Sequence, residues 1–426
     1  MPSQATRQLN EVCWMPSETK QLRVTAQLFG LGLLSFAWGC ADSSDGVAVT
    51  EVDSAGVRIV TSAGSAVLDS GWSVSSVPRL EVGSLDGPDA TRLFRVADAV
   101  RLPEGGIAVA DGGSQEIRVF AASGRHVASF GGQGAGPGEF QMVTTLALTP
   151  NETLVAYDRQ RFRVSEFSLD GELVGTTEVG AQATGGETVL PTGLLPTRRG
   201  TLVGRAGSDL SSAPGTGLTQ DTATWIRVDP ASGVPAVLVR VPGAWSVRFE
   251  MRGRGSYRLA PMTARPSWDV SADQLVVTGG ASFEIRLADV DGGLREVWRR
   301  TEPRRAITSD VIQEWKEDFQ RVMEIPESER PFLQEFFHAM TYPDSLPTYS
   351  QVRIDPDGYV WAERFEVFEL SGQWDLYSDE GEFLGIVTLP ADLRVLEIGR
   401  DFVLGVREDE LGVEYVQEFE LVRPAR

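Results

Sequence analysis

One phrase recurs six times along this chain and constrains its fold more than any other feature: a short β-branched strand, a polar turn, a second strand, a tight glycine turn and a third strand. The first copy runs Gly106-Ile-Ala-Val-Ala-Asp111, Ile117-Arg-Val-Phe120, Ala-Ala-Ser-Gly124, His126-Val-Ala-Ser-Phe130. The second runs Leu154-Val-Ala-Tyr-Asp158, Val164-Ser-Glu-Phe167, Ser-Leu-Asp-Gly171, Leu173-Val-Gly-Thr-Thr177. Looser copies follow at Leu202-Val-Gly with Trp225-Ile-Arg-Val-Asp229, and at Leu275-Val-Val with Glu284-Ile-Arg-Leu. Two more stand at Tyr359-Val-Trp-Ala with Trp374-Asp-Leu-Tyr377, and at Phe402-Val-Leu-Gly with Tyr415-Val-Gln-Glu-Phe419.

Runs of this kind divided by Asp-Gly, Ser-Gly and Gly-Gly turns are antiparallel strands in hairpins. Asp111 and Asp158 lie 47 residues apart, and Tyr359 and Phe402 lie 43 apart. That period suits a four-stranded blade and is too long for a hexapeptide β-helix. No blade can bury both of its faces alone; stacking six around an axis buries Ile, Val, Phe and Trp between neighbours and removes most exposed edges. The fold class expected is all-β: a six-bladed β-propeller over residues 51–426, with a small helical insertion between blades four and five.

Phe130-Gly-Gly-Gln-Gly-Ala-Gly-Pro-Gly-Glu-Phe140, following Val-Ala-Asp and Ile-Arg-Val-Phe, resembles the NHL-repeat type of six-bladed propeller, of the bacterial exported or lipoprotein kind. In that family such a connection joins the last strand of one blade to the first of the next. A phosphate-binding loop would need a helix N-terminus after the glycines, whereas Phe140-Gln-Met-Val-Thr-Thr-Leu continues as strand. The resemblance also implies a ring latch, with Tyr415–Arg423 sharing a blade with early strands around Val57–Val60 and Leu80–Val82. It brings in relatives that are enzymes, lactonase- and lyase-like propellers holding a metal over the channel, beside relatives that are binding modules.

Composition sets bounds on function. A net charge of −21 argues against a surface that neutralises phosphates, so nucleic acid is not an expected partner. Ten Trp and nineteen Phe provide for a sizeable core. The two cysteines, Cys13 and Cys40, precede the repeats, which leaves the body without a disulfide, thiolate site or cysteine nucleophile. The two histidines, His126 and His338, have no metal-binding spacing. No catalytic, cofactor or metal residue can be named. Asp289-Val-Asp-Gly-Gly and Asp355-Pro-Asp-Gly start like calcium loops but lack a closing Glu. With so few histidines, any metal would be held by oxygen ligands and calcium-like.

At the N-terminus, Lys20 and Arg23 precede the apolar stretch Leu28–Trp38 and then Gly39-Cys40, the layout of a secretory signal. Cys40 resembles the acylated cysteine of a bacterial lipobox, so residues 1–40 read as a leader, with Met15 an alternative start, and 41–50 as a linker. Lipidation on Cys40 would anchor the protein to the bacterial envelope; without it the protein is periplasmic or secreted.

The helical insertion, 308–342, has apolar residues on one face of each of two short helices, with Thr308 or Ser309 as N-cap. Trp315, Phe319, Phe336, Phe337 and His338 are the candidate lid or partner surface, or else the apolar faces pack on the rim or on each other. The sequence favours a non-catalytic binding or scaffold module for a protein, peptide or glycan. The alternative is a calcium-dependent hydrolase or lactonase with carboxylates over the channel.

Overall fold

The computed structural model describes residues 47–424, apart from 65, 67, 69–70, 181–185, 187–188, 207–216, 252–253, 323–329 and 368–370. Cys40 and the rest of the leader lie outside the described residues.

Three strands precede the repeats: β1 (Ala48–Ser54), β2 (Val57–Ala63) and β3 (Ser73–Val82). Six antiparallel blades follow. Blade 1 holds β4 (Val96–Arg101), β5 (Ile107–Asp111), β6 (Glu116–Phe120) and β7 (His126–Gly131). Blade 2 holds β8 (Val143–Leu148), β9 (Thr153–Asp158), β10 (Arg163–Ser168) and β11 (Leu173–Glu178). Blade 3 has five strands: β12 (Pro191–Pro196), β13 (Leu202–Ala206), β14 (Gly217–Val228), β15 (Pro235–Met251) and β16 (Arg254–Leu259). Blade 4 holds β17 (Ser267–Ser271), β18 (Gln274–Thr278), β19 (Glu284–Asp289) and β20 (Gly293–Thr301). Blade 5 holds β21 (Tyr349–Ile354), β22 (Val360–Arg364), β23 (Gln373–Tyr377) and β24 (Phe383–Thr388). Blade 6 holds β25 (Arg394–Ile398), β26 (Phe402–Glu408) and β27 (Glu414–Val422), with β3 as its outer strand. The protein is a six-bladed β-propeller.

The repeat phrase supplies the two middle strands of each blade, which are buried on both faces and therefore read as continuous apolar runs rather than alternations. All five residues of β5 are buried. The core is accordingly a set of seams. Six hydrophobic clusters lie one at each junction of neighbouring blades, from Phe120 and Leu404 between blades 6 and 1 to Trp225 and Leu275 between blades 3 and 4.

The latch is half as expected. β3 pairs antiparallel with β27, placing Val82 opposite Val416 and Leu80 opposite Glu418. β2, however, does not join that blade. It runs parallel to β20, with Val60 opposite Trp298, and with β1 extends blade 4 to six strands. The reason lies in its tertiary contacts: Val60 is 1% exposed among Trp298, Tyr377 and Phe383 at the seam of blades 4 and 5, while Arg58 bonds Glu296 and Glu51 outside. The open edge of β20 gains a ladder in the process.

Below the latch, Arg423 completes the closure. Its guanidinium lies 3.0 Å from Asp355 and 3.3 Å from Asp357 of blade 5, and over the Trp72 ring at 5.3 Å. Asp355 is fully buried and also accepts from Trp361 Nε1 at 3.1 Å, so this calcium-like turn is occupied by a cation of the chain itself. Arg423→Ala strands that carboxylate without its counter-charge. Urea unfolding of the variant should show a loss of about 3–5 kcal/mol, with β3 becoming the first site cut in limited proteolysis; an unchanged midpoint would mean the latch does not depend on this pair.

Candidate functional site

The innermost strands β4, β8, β12, β17, β21 and β25 surround the axis but belong to different sheets. Each is an edge whose outward N–H and C=O groups find no backbone partner across the seam. Side chains provide the partners. Asp98 accepts from Leu146 N–H at 3.0 Å, Asp269 from Ile354 N–H at 3.1 Å, and Glu397 from Arg101 N–H at 2.9 Å, each reaching the next inner strand. Acting as donors to the next inner strand, Arg353 and Gln351 bond Val395 O at 3.0 and 2.8 Å, and Arg394 bonds Val96 O at 2.6 Å. Bulges at Val96/Asp98, Val143/Thr145, Pro191/Gly193, Tyr349/Gln351 and Val395/Glu397 set these positions on five of the inner strands.

Burial makes this channel lining electrically unusual. It pushes the Asp98 carboxyl up to about 6, against the pull of Leu146 N–H and the Arg353 charge. Glu397 goes up to about 8, from burial with added repulsion from Asp98 and Asp269. Glu363 on β22 rises to about 7, mainly by burial, although Ser350 Oγ donates to it. Burial depresses the Arg394 guanidinium in the same place.

A metal over the channel, as in the enzymes of the resembled family, would need three or more free, converging carboxylates. These residues do not fit one. Asp98, Asp269 and Glu397 are each bound to a backbone N–H, burial shifts each of them upward, and Arg353 acts on all but the last as counter-ion. Among the described residues no group of three His, Cys, Asp or Glu side chains is arranged to hold a metal ion. The two histidines do not converge either: His126 lies on the outer strand β7, bonded to Ser129 Oγ, and His338 on the insertion.

The ends of the ring differ. At the lower end, where the first strand of each blade turns into the second, arginines bridge neighbouring blades. Arg199 reaches Asp273 and Asp291, Arg101 reaches Asp401, and Arg400 reaches Asp357. At the upper end, where each outer strand passes to the next inner strand, Arg118 pairs with Asp111 and Arg305 with Glu366. Arg95, Arg159 and Arg161 there are exposed and have no carboxylate partner among the described residues. Exposed Leu85, Phe94, Met142, Leu190 and Leu411 lie in connections at the same end, Phe94 at 53% and Leu411 at 63%. The Gly-rich connection is closed to anions: Glu139 accepts from Gly136 N–H, and buried Arg163 donates to Ala135, Gly136 and Glu139 carbonyls.

The helical insertion leaves the ring at this end, as α1 (Ser309–Val322) and α2 (Arg330–Ala339). Thr308 caps α1, its Oγ1 accepting from Val311 N–H. The four aromatics singled out in the sequence pack on one another: Trp315 meets Phe319 and Phe337, and Phe319 stacks on Phe336 with centroids 6.0 Å apart. Met340 and Phe336 then seat the hairpin on Val247 and Leu218, where β14 and β15 rise beyond blade 3. His338 is exposed and outside this cluster.

The DUF5128 family model, described as a 6-bladed beta-propeller, matches residues 74–184. No curated protein matches. Among solved structures, a member of the duf4221 family from Bacteroides vulgatus is similar over 83% of this chain and 99% of its own, at 10% identity and TM-score 0.50. A Bacteroides fragilis protein described as exported covers 86% of this chain and 100% of its own, at 10% identity and TM-score 0.47. A gluconolactonase from Xanthomonas campestris covers 82% and 100%, at 12% identity and TM-score 0.40. At such identities the likeness is one of fold, and the channel has to be judged on its own residues. Glu397 titrates near 4.5 when unfolded and near 8 when native, so within that window the native state binds more protons and stability falls as pH rises. Asp98 contributes the same sign between 3.8 and about 6. Thermal unfolding followed from about pH 5 to about pH 9 should show a declining midpoint. Glu397→Gln, which keeps an acceptor for Arg101 N–H, should flatten the decline, and a midpoint that climbs over this range would contradict the assignment.

Proposed function

We propose that this protein is an exported, envelope-displayed propeller that binds a protein, peptide or glycan ligand on its upper end without catalysing a reaction. The observation that carries this reading is the concentration there of exposed Phe94, Leu85, Met142, Leu190 and Leu411 together with Arg95, Arg159 and Arg161, which have no carboxylate partner among the described residues. Aromatic, aliphatic and arginine side chains are the types that anchor interfaces. Insertions and long connections gather at the same end, where a rigid scaffold presents them. A protein or peptide suits the mixture of apolar and guanidinium groups better than a glycan does.

The test is site-specific photo-crosslinking in the intact protein in its native envelope. A crosslinker at Phe94 or Leu411 should capture one discrete species, and one at Val174, exposed on an outer strand, should not. Equal capture from both places would remove the upper end as the binding surface. The alternative, a calcium-dependent hydrolase, is addressed by calcium titration followed by thermal unfolding. The binding reading expects no saturable rise in the midpoint, whereas a saturable rise would favour the alternative and justify a lactone and ester screen.

Export and anchoring belong to the same proposal. Among the described residues no helix is long and apolar enough to cross a membrane, and Cys40 is the residue on which a lipid anchor would sit. Cys40→Ser should then move the protein from the membrane to the soluble fraction; continued membrane retention would exclude that anchor.

A further inference from the structure

A cavity of about 300 Å³ opens on the upper end of blade 4, between the turn that leads into β19 and the stretch that follows β20. That volume is at the small end of those that hold ligands. Phe283 forms its apolar wall, its ring set edge-on against Tyr349 with centroids 5.6 Å apart. Arg299, Arg300 and Arg304 line it together with Glu284 and Glu302. Glu284 stands directly across the ladder from Arg299, so their side chains share a face of the hairpin, while Arg300, next along the strand, leaves on the other face toward blade 5.

Arg300 is fixed in place by the fold. Its side chain is 7% exposed, with Nη1 2.9 Å from Asp375 Oδ2 and Nη2 2.8 Å from Glu302 Oε2, and its guanidinium lies over the Phe383 ring at 3.7 Å. Asp375, itself 0% exposed, is held by Arg364 Nε at 2.7 Å and by the Tyr349 hydroxyl at 2.8 Å. Arg300 Nε is nevertheless buried without a hydrogen-bond partner, a costly state for a donor and one that native proteins rarely leave. Arg299 is engaged: its Nε donates to one Glu284 oxygen at 2.9 Å, and Arg286 takes the other at 2.8 Å. Arg304 is exposed and has no carboxylate partner among the described residues.

We infer that this cavity receives a carboxylate of the peptide or protein ligand, with Arg304 and Arg300 as the guanidiniums that hold it and Phe283 as the wall for the group that bears it. Three lining arginines against two lining glutamates leave one positive charge, which matches a monovalent carboxylate. A phosphate dianion would meet the oxygens of Glu284 and Glu302 with twice the charge and so about twice the repulsion. Those same oxygens can accept from N–H groups beside the carboxylate, which a chain terminus or an acidic residue supplies. Because Arg300 is already ordered, little side-chain entropy is lost when an anion binds, and an oxygen at its Nε completes a donor that the described residues leave open. The peptide as bearer rests on the binding reading above; the carboxylate site does not.

The experiment titrates the intact protein with N-acetylphenylalanine, with its C-terminal amide and with inorganic phosphate at matched ionic strength, following binding by ligand-observed NMR. The acid should saturate and the amide should not. Arg304→Gln should weaken the acid about tenfold or more at an unchanged thermal midpoint, since the exposed Arg304 has no carboxylate to lose among the described residues. Arg304→Lys, which keeps the charge but not the planar fork, should recover part of the loss. Arg159→Gln, on the upper end of blade 2, should leave binding unchanged, which separates the cavity from the general charge of that end. Tighter saturation by phosphate than by the acid overturns the carboxylate assignment, and so does equal binding of acid and amide. Absence of saturable binding, or binding indifferent to Arg304, overturns the site. If Arg304-dependent binding is found but crosslinking from Phe94 and Leu411 captures nothing, the peptide reading fails and the cavity is a site for a free carboxylic acid.

Discussion

An inner strand of a propeller is a sheet edge that faces another sheet edge, and most of what is distinctive in this chain follows from how those edges are satisfied. In a closed barrel the ladder would continue from strand to strand. Here six sheets meet without sharing a ladder, and the outward backbone groups of β4, β8, β21 and β25 would be orphaned in the middle of the protein. Asp98, Asp269, Glu397, Gln351, Arg353 and Arg394 act as the missing rungs. A carboxylate committed to a backbone N–H, lifted toward its neutral form by burial, is a poor ligand for a hard cation. The same geometry that closes the ring commits these carboxylates to backbone groups, and among the described residues no three of them are arranged to hold a metal ion.

Much of this architecture was legible in the residues. Ile-Ala-Val-Ala-Asp111 and Leu-Val-Ala-Tyr-Asp158 mark second strands because both faces are buried and an Asp-capped turn follows; Asp158 accepts from four backbone N–H groups around that turn. The partition of the early strands was not legible. Val57-Arg-Ile-Val60 and Arg79-Leu-Glu-Val82 both alternate, and alternation fixes which face is buried without saying against which blade. The choice was made by tertiary contacts, Val60 finding Trp298 and Leu80 finding Leu404. The rise of β14 and β15 beyond blade 3 was hidden for a similar reason: Gln220–Thr224 is polar and weakly patterned, and becomes strand because Leu218 and Val247 are covered by α2.

The channel residues carried a signal that a search for turn motifs passes over. Val-Ala-Asp98-Ala-Val, Trp-Asp269-Val and Leu-Glu397-Ile each place a charge within a short apolar run, where a propeller has no solvent to offer it. A charge in such a setting must be paired, bonded or neutral, and these are bonded or lifted toward neutrality. In the insertion, Trp315, Phe319, Phe336 and Phe337 read as a lid or partner surface or as packing on the rim or on each other; a helical hairpin projecting from a ring has little else to pack on, and they meet one another. Among the described residues, what is exposed on the two helices is polar, including His338.

Charge then distinguishes the two ends. A chain with net charge −21 has carboxylates to spare for its arginines; they tie blade to blade around the lower end, and at the upper end Arg300–Asp375 and Arg305–Glu366 tie blade 4 to blade 5. Arg199, Arg101, Arg400 and Arg423 all cross seams. The lower end needs such ties because its loops are short and the latch strand departs there, beside Trp72 and Pro424. At the upper end Arg95, Arg159 and Arg161 go without them among the described residues, although acidic residues outnumber basic ones in the chain as a whole. Placing guanidiniums apart from carboxylates in so acidic a protein forgoes pairings that would have been easy to make, and leaves those side chains free for another partner.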